Sequence, residues 1–374
     1  MIFFDNASTT RVFDEVLTTM SDINSGFFFN PSALYKNALD VKNILEDSRK
    51  SLARRLGAQK SELFFTSCAT ESNNWILNSG VKNKKGNLVI SAGEHASVYD
   101  TAMYLKSKGL DVRVAALLPD GTLDLCDFER MVDKSTSLVS VIHVSNETGA
   151  INDIEAAVKI VRQKAEGALI HCDGVHAFCK LEVDVKGLGV DFYTISAHKI
   201  GGSKGCGAAY ISGKVKIAPL LHGGGQENGL RSGTENVPAV AGFARAAEVF
   251  ASKYNKPKAD AIFEYLKKRL TDFGFVYNGA ARHTGFILSL SYAGIKSEVL
   301  QHMLSDSGVL IGLGSACSSK SKENRVLAAM GRSKREIEGN IRLSFCANTT
   351  MEEAVAAAEK IEKALDMLRE KMGR

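Results

Sequence analysis

Through most of its first 250 or so residues this chain alternates short, β-rich apolar runs with longer amphipathic stretches. That alternation limits the folds open to it more than any other feature. The runs Glu62–Thr66, Asn87–Ser91, Asp111–Ala115, Ser137–Val144, Ala168–Cys172, Asp191–Ile195 and Gly207–Ile211 read as strands. Helical periodicity fits Ala33–Leu56, Glu71–Lys82, Ser97–Lys108, Asp153–Glu166 and Val237–Phe250. Near-continuous apolar strands such as Leu138–Val144 suit a sheet covered on both faces. Strand–helix alternation then predicts a mostly parallel α/β sheet.

The polar segment Ser252–Lys258, with its proline, marks a transition. After it the order changes to helix (Ala259–Asp272), strand (Phe286–Ser291), helix (Lys296–Ser307), a glycine-rich stretch, helix (Lys334–Glu338), strand (Asn340–Ser344) and a last helix (Met351–Lys371). This predicts a large domain over 13–252 and a smaller α+β domain over 253–374. Residues 1–12 are expected to join the smaller one, because chain termini often meet.

Composition narrows the function. With 45% hydrophobic and 24% charged residues the chain can bury a core, so disorder is excluded. No stretch approaches the length of a membrane-spanning helix. A net charge of +5 without a Lys/Arg cluster gives no support to nucleic-acid binding. The opening Met1–Thr10 lacks the pattern of a secretory signal. Seven cysteines without a CxxC pair point to a reducing compartment, so a soluble cytoplasmic protein is expected.

Several segments carry groups suited to chemistry. In Asp191–Gly207 an apolar strand runs into Ser196, His198 and Lys199, then into glycines. Burial disfavours an ammonium, and a neutral amine there can form a Schiff base; a surface lysine in a flexible loop is the plainer alternative. Asp173 closes a strand, where open α/β sheets place ligands, and can hold a proton on a heteroaromatic nitrogen or simply cap a helix. Phe64–Asn73 runs from a strand into a helix whose first amides, at Ala69 and Thr70, can cradle an anion. His95 and Asn146 also follow strands, and Leu221–Thr234 is a glycine-rich loop with Arg231 and Thr234. His171, Cys172, His176 and Cys179 invite a metal reading, but alternation in the strand turns Cys172 away from His171, and no metal is expected. In Val309–Lys320, Cys317 stands among glycines and serines, as an accessible, reactive thiol or simply an exposed, unreactive one. Arg342 lies in a strand, as an anion clamp or half of an ion pair.

Together these segments resemble the pyridoxal-phosphate-dependent cysteine desulfurases of the NifS/IscS type. The matching segments are Asp5–Thr10, Asn30–Ser32, Thr66–Asn73, Glu94-His95, Asn146-Glu147, Asp173, Ser196–Lys199, Arg231–Thr234, Gly314–Ser318 and Ile341–Ser344, in the family's order over nearly the whole chain. The resemblance implies the fold type I transferase architecture: a mostly parallel seven-stranded sheet between helices, plus a smaller α+β domain, as a homodimer. It implies Lys199 as the covalent holder of pyridoxal 5'-phosphate, Asp173 at the pyridinium nitrogen, and His95 stacked on the ring as a proton shuttle. Ala69, Thr70, Ser196 and His198 would hold the phosphate, with Thr234 from the other subunit, and Asn146 and Arg342 would orient the substrate carboxylate. L-cysteine would become L-alanine, with Cys317 retaining the sulfur as a persulfide for an acceptor protein, a scaffold for iron–sulfur cluster assembly or a tRNA-thiolation enzyme.

The chain departs from the family pattern at a few places. His176 stands where glutamine usually meets the cofactor's phenolic oxygen; imidazole can still donate a hydrogen bond there, and the sequence leaves open whether its ionisation alters the pH range. Cys68 replaces a glycine before the cradle, Gly202-Ser203 replaces Gly-Pro, and Asn228 stands where a basic residue is frequent. The short stretch after the last helix lacks the tail that some members use to dock a scaffold. Competing readings are a selenocysteine lyase, an aminotransferase in which Cys317 is idle, and a non-catalytic iron- or sulfur-carrier binding protein.

Overall fold

A computed structural model of the chain describes residues 1–81, 86–314 and 324–371. Its strands are β1 (Ile2–Phe4), β2 (Leu63–Thr66), β3 (Asn87–Ser91), β4 (Asp111–Ala115), β5 (Thr136–Ile142), β6 (Leu169–Asp173), β7 (Phe192–Ser196), β8 (Gly207–Ile211), β9 (Val276–Tyr277), β10 (Ile287–Ser291), β11 (Val309–Ile311) and β12 (Asn340–Ser344). Its helices are α1 (Asp14–Gly26), α2 (Lys36–Arg55), α3 (Ala69–Gly80), α4 (Ala96–Ser107), α5 (Leu125–Met131), α6 (Ile154–Lys164), α7 (Val185–Leu188), α8 (Val237–Lys253), α9 (Lys256–Asp272), α10 (Ser297–Asp306), α11 (Arg325–Ala329), α12 (Lys334–Glu338) and α13 (Met351–Lys371).

Seven strands form one sheet in the order β2-β8-β7-β6-β5-β3-β4. All neighbours are parallel except β8, which runs antiparallel to both β2 and β7. Alternate side chains feed two separate apolar layers, as strand periodicity requires. Val89, Val139, Tyr193 and Tyr210 join the layer built with α1, α2, α6 and α8. Leu88, Leu138, Phe192 and Ile211 join the layer built with α3 and α4. Covering both faces explains why these strands read as unbroken apolar runs.

Two smaller sheets complete the fold: parallel β1-β11 and antiparallel β12-β10-β9. Isolated bridges Asp5↔Ser344 and Gly312↔Arg342 join them. The start of the chain is thereby threaded beside β12, which carries Arg342.

Most differences from the sequence reading lie at element ends. Residues Lys60–Glu62 form a 3₁₀ turn before β2, because the Glu62 carboxylate reaches back to the Gln59 amide (2.8 Å) and closes a capping box. The second helix starts at Lys36 rather than at Ala33, and α3 starts at Ala69, two residues ahead of the reading. Lys82, where that reading ended the helix, lies outside the described residues. The segment Ser252–Lys258 is the end of α8 and the start of α9; Asn255 caps the latter through Lys258 N (3.0 Å), and Pro257 sits in its first turn. A proline there forgoes an amide that has no intrahelical partner anyway. The glycine-rich stretch after α10 contains β11, and α1, β1, α5, α7, β9 and α11 were not anticipated.

This topology positions the site. Strands β2, β3, β5, β6 and β7 bring their carboxyl ends to one edge of the sheet. At that edge lie the start of α3, the Glu94-His95 turn, Asn146, Asp173 and Lys199 respectively.

Candidate functional site

A cavity of about 670 Å³ opens at that edge. Its floor is the end of β6. There Asp173, 3% exposed, accepts hydrogen bonds from Asn73 Nδ2 (2.9 Å) and the Val175 amide (3.1 Å). Across the cavity Lys199 follows β7 in a short 3₁₀ turn, its Nζ donating to the carbonyls of Ala7 (2.6 Å) and Ser8 (2.8 Å). Thr10 fixes that turn: its hydroxyl donates to the His198 carbonyl (2.9 Å) and accepts from the Gly201 amide (2.7 Å). Burial first, then the positive charges of Arg342 and Lys180, pull the Lys199 amine down to about 7. A largely neutral amine at physiological pH is a nucleophile.

One end of the cavity is built to take an anion. Helix α3 begins there with no side-chain cap from Cys68, so the Ala69 and Thr70 amides are left to whatever enters. Ser196 Oγ is buried beside them without a hydrogen-bond partner among the described residues. His198 lines the same end, and burial, reinforced by Lys199 and Lys204, holds its ring neutral with a pKa near 4. Gly207 packs so closely on the start of α3 that an added Cβ would sit 2.7 Å from the Cys68 carbonyl carbon. Cys68 itself has φ −172°, extended backbone open to any residue, so the family's glycine is not needed here.

His95 is the N-cap of α4: its Nδ1 accepts from the Ser97 amide (3.1 Å). An amide can only donate, so Nδ1 carries the lone pair and the neutral ring keeps its proton on Nε2. The ring is open to the cavity, and desolvation by the surrounding walls lowers its pKa. His176 is 4% exposed, and its Nδ1 has no partner among the described residues. Burial, with Lys180, Lys199 and Arg342 nearby, holds its pKa far below the usual value. That answers a question the sequence leaves open: this ring stays neutral. Arg342, 7% exposed, donates from Nη1 to the Asn146 carbonyl (2.9 Å) and from Nη2 to Asp5 Oδ1 (3.2 Å), while its Nε has no partner among the described residues. Asn146 Nδ2 donates to Glu147 Oε1 (2.6 Å), and Glu147 Oε2 accepts from Asn324 Nδ2 (2.9 Å).

The structure thus brings Ala69, Thr70, His95, Asn146, Asp173, His176, Ser196, His198, Lys199 and Arg342 to one cavity. Thr234 is exposed and does not line it. Cys317 lies outside the described residues. Among the described residues no group of three or more His, Cys, Asp or Glu converges as metal ligands, and no helix is long and apolar enough to cross a membrane. Sequence reasoning gave no role to Glu94, fully buried in the cavity wall, or to Arg325, whose guanidinium lies 3.8 Å over the Tyr99 ring and grips the Ala92 and Glu94 carbonyls. Glu94 stood in a segment already singled out; Arg325 stood in none.

The donor set fits pyridoxal phosphate. A helix start with no side-chain cap among the described residues and a buried hydroxyl line one end, and a buried carboxylate and a low-pKa amine line the same cavity. The family model for class-V aminotransferases matches residues 2–356. A cysteine desulfurase IscS of Rickettsia conorii (strain ATCC VR-613 / Malish 7) is 33% identical over 382 residues, covering 99% of this chain and 92% of the relative. Among solved structures, a NifS-like protein superposes with TM-score 0.92 at 36% identity, covering 98% of this chain and 99% of the other. A structure described as SspA in complex with cysteine gives TM-score 0.84 at 31% identity, covering 93% and 99%.

Proposed function

This chain belongs to the class-V aminotransferase family, in its cysteine desulfurase branch, and from that premise we propose that it works on pyridoxal 5'-phosphate held covalently by Lys199. The observation that carries the reading is the half-buried amine of Lys199, with its pKa near 7, sharing one cavity with Asp173 and the uncapped start of α3. When bound, the cofactor supplies an electron sink that makes the Cα–H bond of an attached amino acid acidic.

The chain's own residues do the rest. The Ala69 and Thr70 amides, Ser196 Oγ and His198 bind the phosphate. Asp173, fixed by Asn73 and the Val175 amide, holds a proton at the ring nitrogen. His176 donates to the phenolic oxygen from Nε2, since an unpartnered Nδ1 costs less as a bare lone pair than as a stranded N–H. Arg342 and Asn146 orient the substrate carboxylate, Arg342 through its planar fork. Lys199, once displaced by the substrate amine, takes the Cα proton. His95, with its proton on Nε2, delivers one to the departing side. The Cys317 thiolate would attack the substrate sulfur: the S–S bond of a persulfide forms as the Cβ–S bond breaks, the electron pair passes to the carbon side, and protonation there releases alanine.

The substrate is L-cysteine, in keeping with the cysteine complex of the SspA structure. The persulfide passes to an acceptor protein, and the working unit is a cytoplasmic homodimer in which Thr234 of the partner subunit completes the phosphate site. Exposed apolar side chains at Phe28 and Leu34 (71% and 104% exposed) support such a contact. The division into a large domain over 13–252 and a smaller one formed by 1–12 with 253–374 remains part of this proposal.

The test is to mix the purified chain with L-cysteine and a thiol. Alanine and sulfide are expected in equal amounts. Cys317→Ala is expected to abolish turnover while keeping the cofactor's visible absorbance; normal turnover in that variant overturns the persulfide step.

A further inference from the structure

Glu94 is a buried acid for which the reaction outlined above has no use. It follows β3, and its carboxyl group reaches to β5, where the Ile142 amide donates to Oε1 at 2.6 Å and Ser140 Oγ lies 3.3 Å from Oε2. Ile142 lies beyond the last register pair of β3 with β5, Ile90 with Ser140. The carboxyl group thus continues the ladder where the strand has ended. Ser140 Oγ lies 2.9 Å from His171 Nδ1, and His171 Nε2 lies 3.2 Å from Thr194 Oγ1, so a buried polar chain runs across β5, β6 and β7.

Glu94, Ser140, His171 and Thr194 are all fully buried. Of the charged and titratable neighbours on the packed elements only Arg325 favours an ionised Glu94, and it does so without touching the carboxyl group. Asp173, at the end of β6, is a second buried carboxylate in the same wall. His171 is held neutral, its pKa pulled to about 4 by burial. The Cys172 thiol is pushed well up by burial, and by Glu94 and Asp173. Arg325, from α11, grips the main-chain carbonyls of Ala92 and Glu94 rather than the carboxyl group. No ion pair to the Glu94 carboxyl group is present among the described residues.

We propose that Glu94 is a positioning residue carried as a neutral carboxylic acid, which pins the His95 turn to the ends of β5 and β6. The hydrogen bonds close in one direction under this assignment. The Glu94 O–H donates to Ser140, Ser140 to His171 Nδ1, and His171 Nε2–H to Thr194; an ionised Glu94 would run the same chain the opposite way with Ser140 as its donor, so it is full burial without an ion pair that selects the neutral acid. Burial, and then the neighbouring Asp173, raises the Glu94 carboxyl group to about 8.

The experiment uses the full-length protein as purified, labelled with ¹³C at the glutamate side-chain carboxyl and followed by NMR from about pH 5 to about pH 9.5. One carboxyl resonance is expected to keep its protonated position at neutral pH and to move only as the pH passes about 8. It is expected to be absent from Glu94→Gln. Because glutamine mimics the neutral acid, Glu94→Gln is expected to keep the wild-type melting temperature at pH 7, and Glu94→Ala to lose it. In Asp173→Asn the late resonance is expected to move at lower pH. The assignment is overturned if every glutamate carboxyl is ionised at neutral pH, if the late resonance survives in Glu94→Gln, or if Asp173→Asn leaves its midpoint unchanged. If Glu94→Gln does not fold, the wild-type titration and the Asp173→Asn shift decide alone. None of these readouts depends on turnover, so they stand or fall apart from the desulfurase reading.

Discussion

Replacing Gly207 by alanine tests whether the start of α3 is the anion cradle. Gly207 begins β8, pairing with Thr66 on one side and Ser196 on the other. The new Cβ would lie 2.7 Å from the Cys68 carbonyl carbon and 3.0 Å from both Cys68 Cα and the Ala69 nitrogen. An unstrained carbon–carbon contact needs ~3.5 Å, so the start of α3 must retreat by roughly 0.8 Å. The atoms that must yield are backbone, not the tip of a side chain, and overpacking of this kind costs about 1–3 kcal/mol. If the retreat is taken by the Ala69 and Thr70 amides, that energy is drawn from hydrogen bonds to a charged group. The cofactor dissociation constant then rises about 5- to 150-fold. The assay is titration of unloaded protein with pyridoxal phosphate, read by visible absorbance, with inorganic phosphate as competitor and the melting temperature of the unloaded chain measured alongside. Phosphate competition is expected to weaken in parallel with cofactor binding. A variant that melts lower yet binds both ligands as wild type would refute the cradle, and one unchanged in both would refute the packing argument as well.

Two further outcomes are expected. Glu227 holds Arg49 by two bonds (2.7 and 2.8 Å) and accepts the Phe65 amide (2.8 Å), all buried; Glu227→Ala leaves the guanidinium only Glu46 (3.0 Å) and the Leu63 carbonyl (2.8 Å) and is expected to lower stability by about 1–3 kcal/mol in denaturant titration, whereas a double replacement by methionine at 49 and 227 recovers most of it, and no loss in the single variant contradicts the pairing. Loading of the unloaded chain requires a neutral Lys199; since its pKa is lowered to about 7, the loading rate is expected to rise with pH up to about 7 and level off above it, and a rate still climbing toward pH 10 contradicts the depressed pKa.

Much of this architecture was readable from residue order, and the exceptions have physical causes. Strands β3 and β8 lie where their apolar runs predicted, because strands buried on both faces leave unbroken patterns, and β4, at the sheet edge, lies where its alternation of polar and apolar residues predicted. Helix α1 left little trace: it buries only Val16 and Ile23, and Phe13 stands at its N-cap without a side-chain bond. Strands β1 and β11, three residues each, are too short for any period to register. In the site, Asp173, His95 and Lys199 were legible because each follows an apolar strand, where a parallel sheet exposes its ligands. The depth of burial was not legible. Nothing in the residue order distinguishes the wholly enclosed Glu94 from an exposed acid, or shows that His176 is shut away from water and so stays neutral. Arg325 reaches the His95 turn from the far end of the chain, a contact without local signature.

The covalent attachment is open to direct measurement. Protein loaded with pyridoxal phosphate is reduced with borohydride, digested, and its peptides weighed. The added mass is expected on the peptide containing Lys199, and to vanish in Lys199→Ala. The same mass found on another lysine, or on none, would contradict the site as a whole.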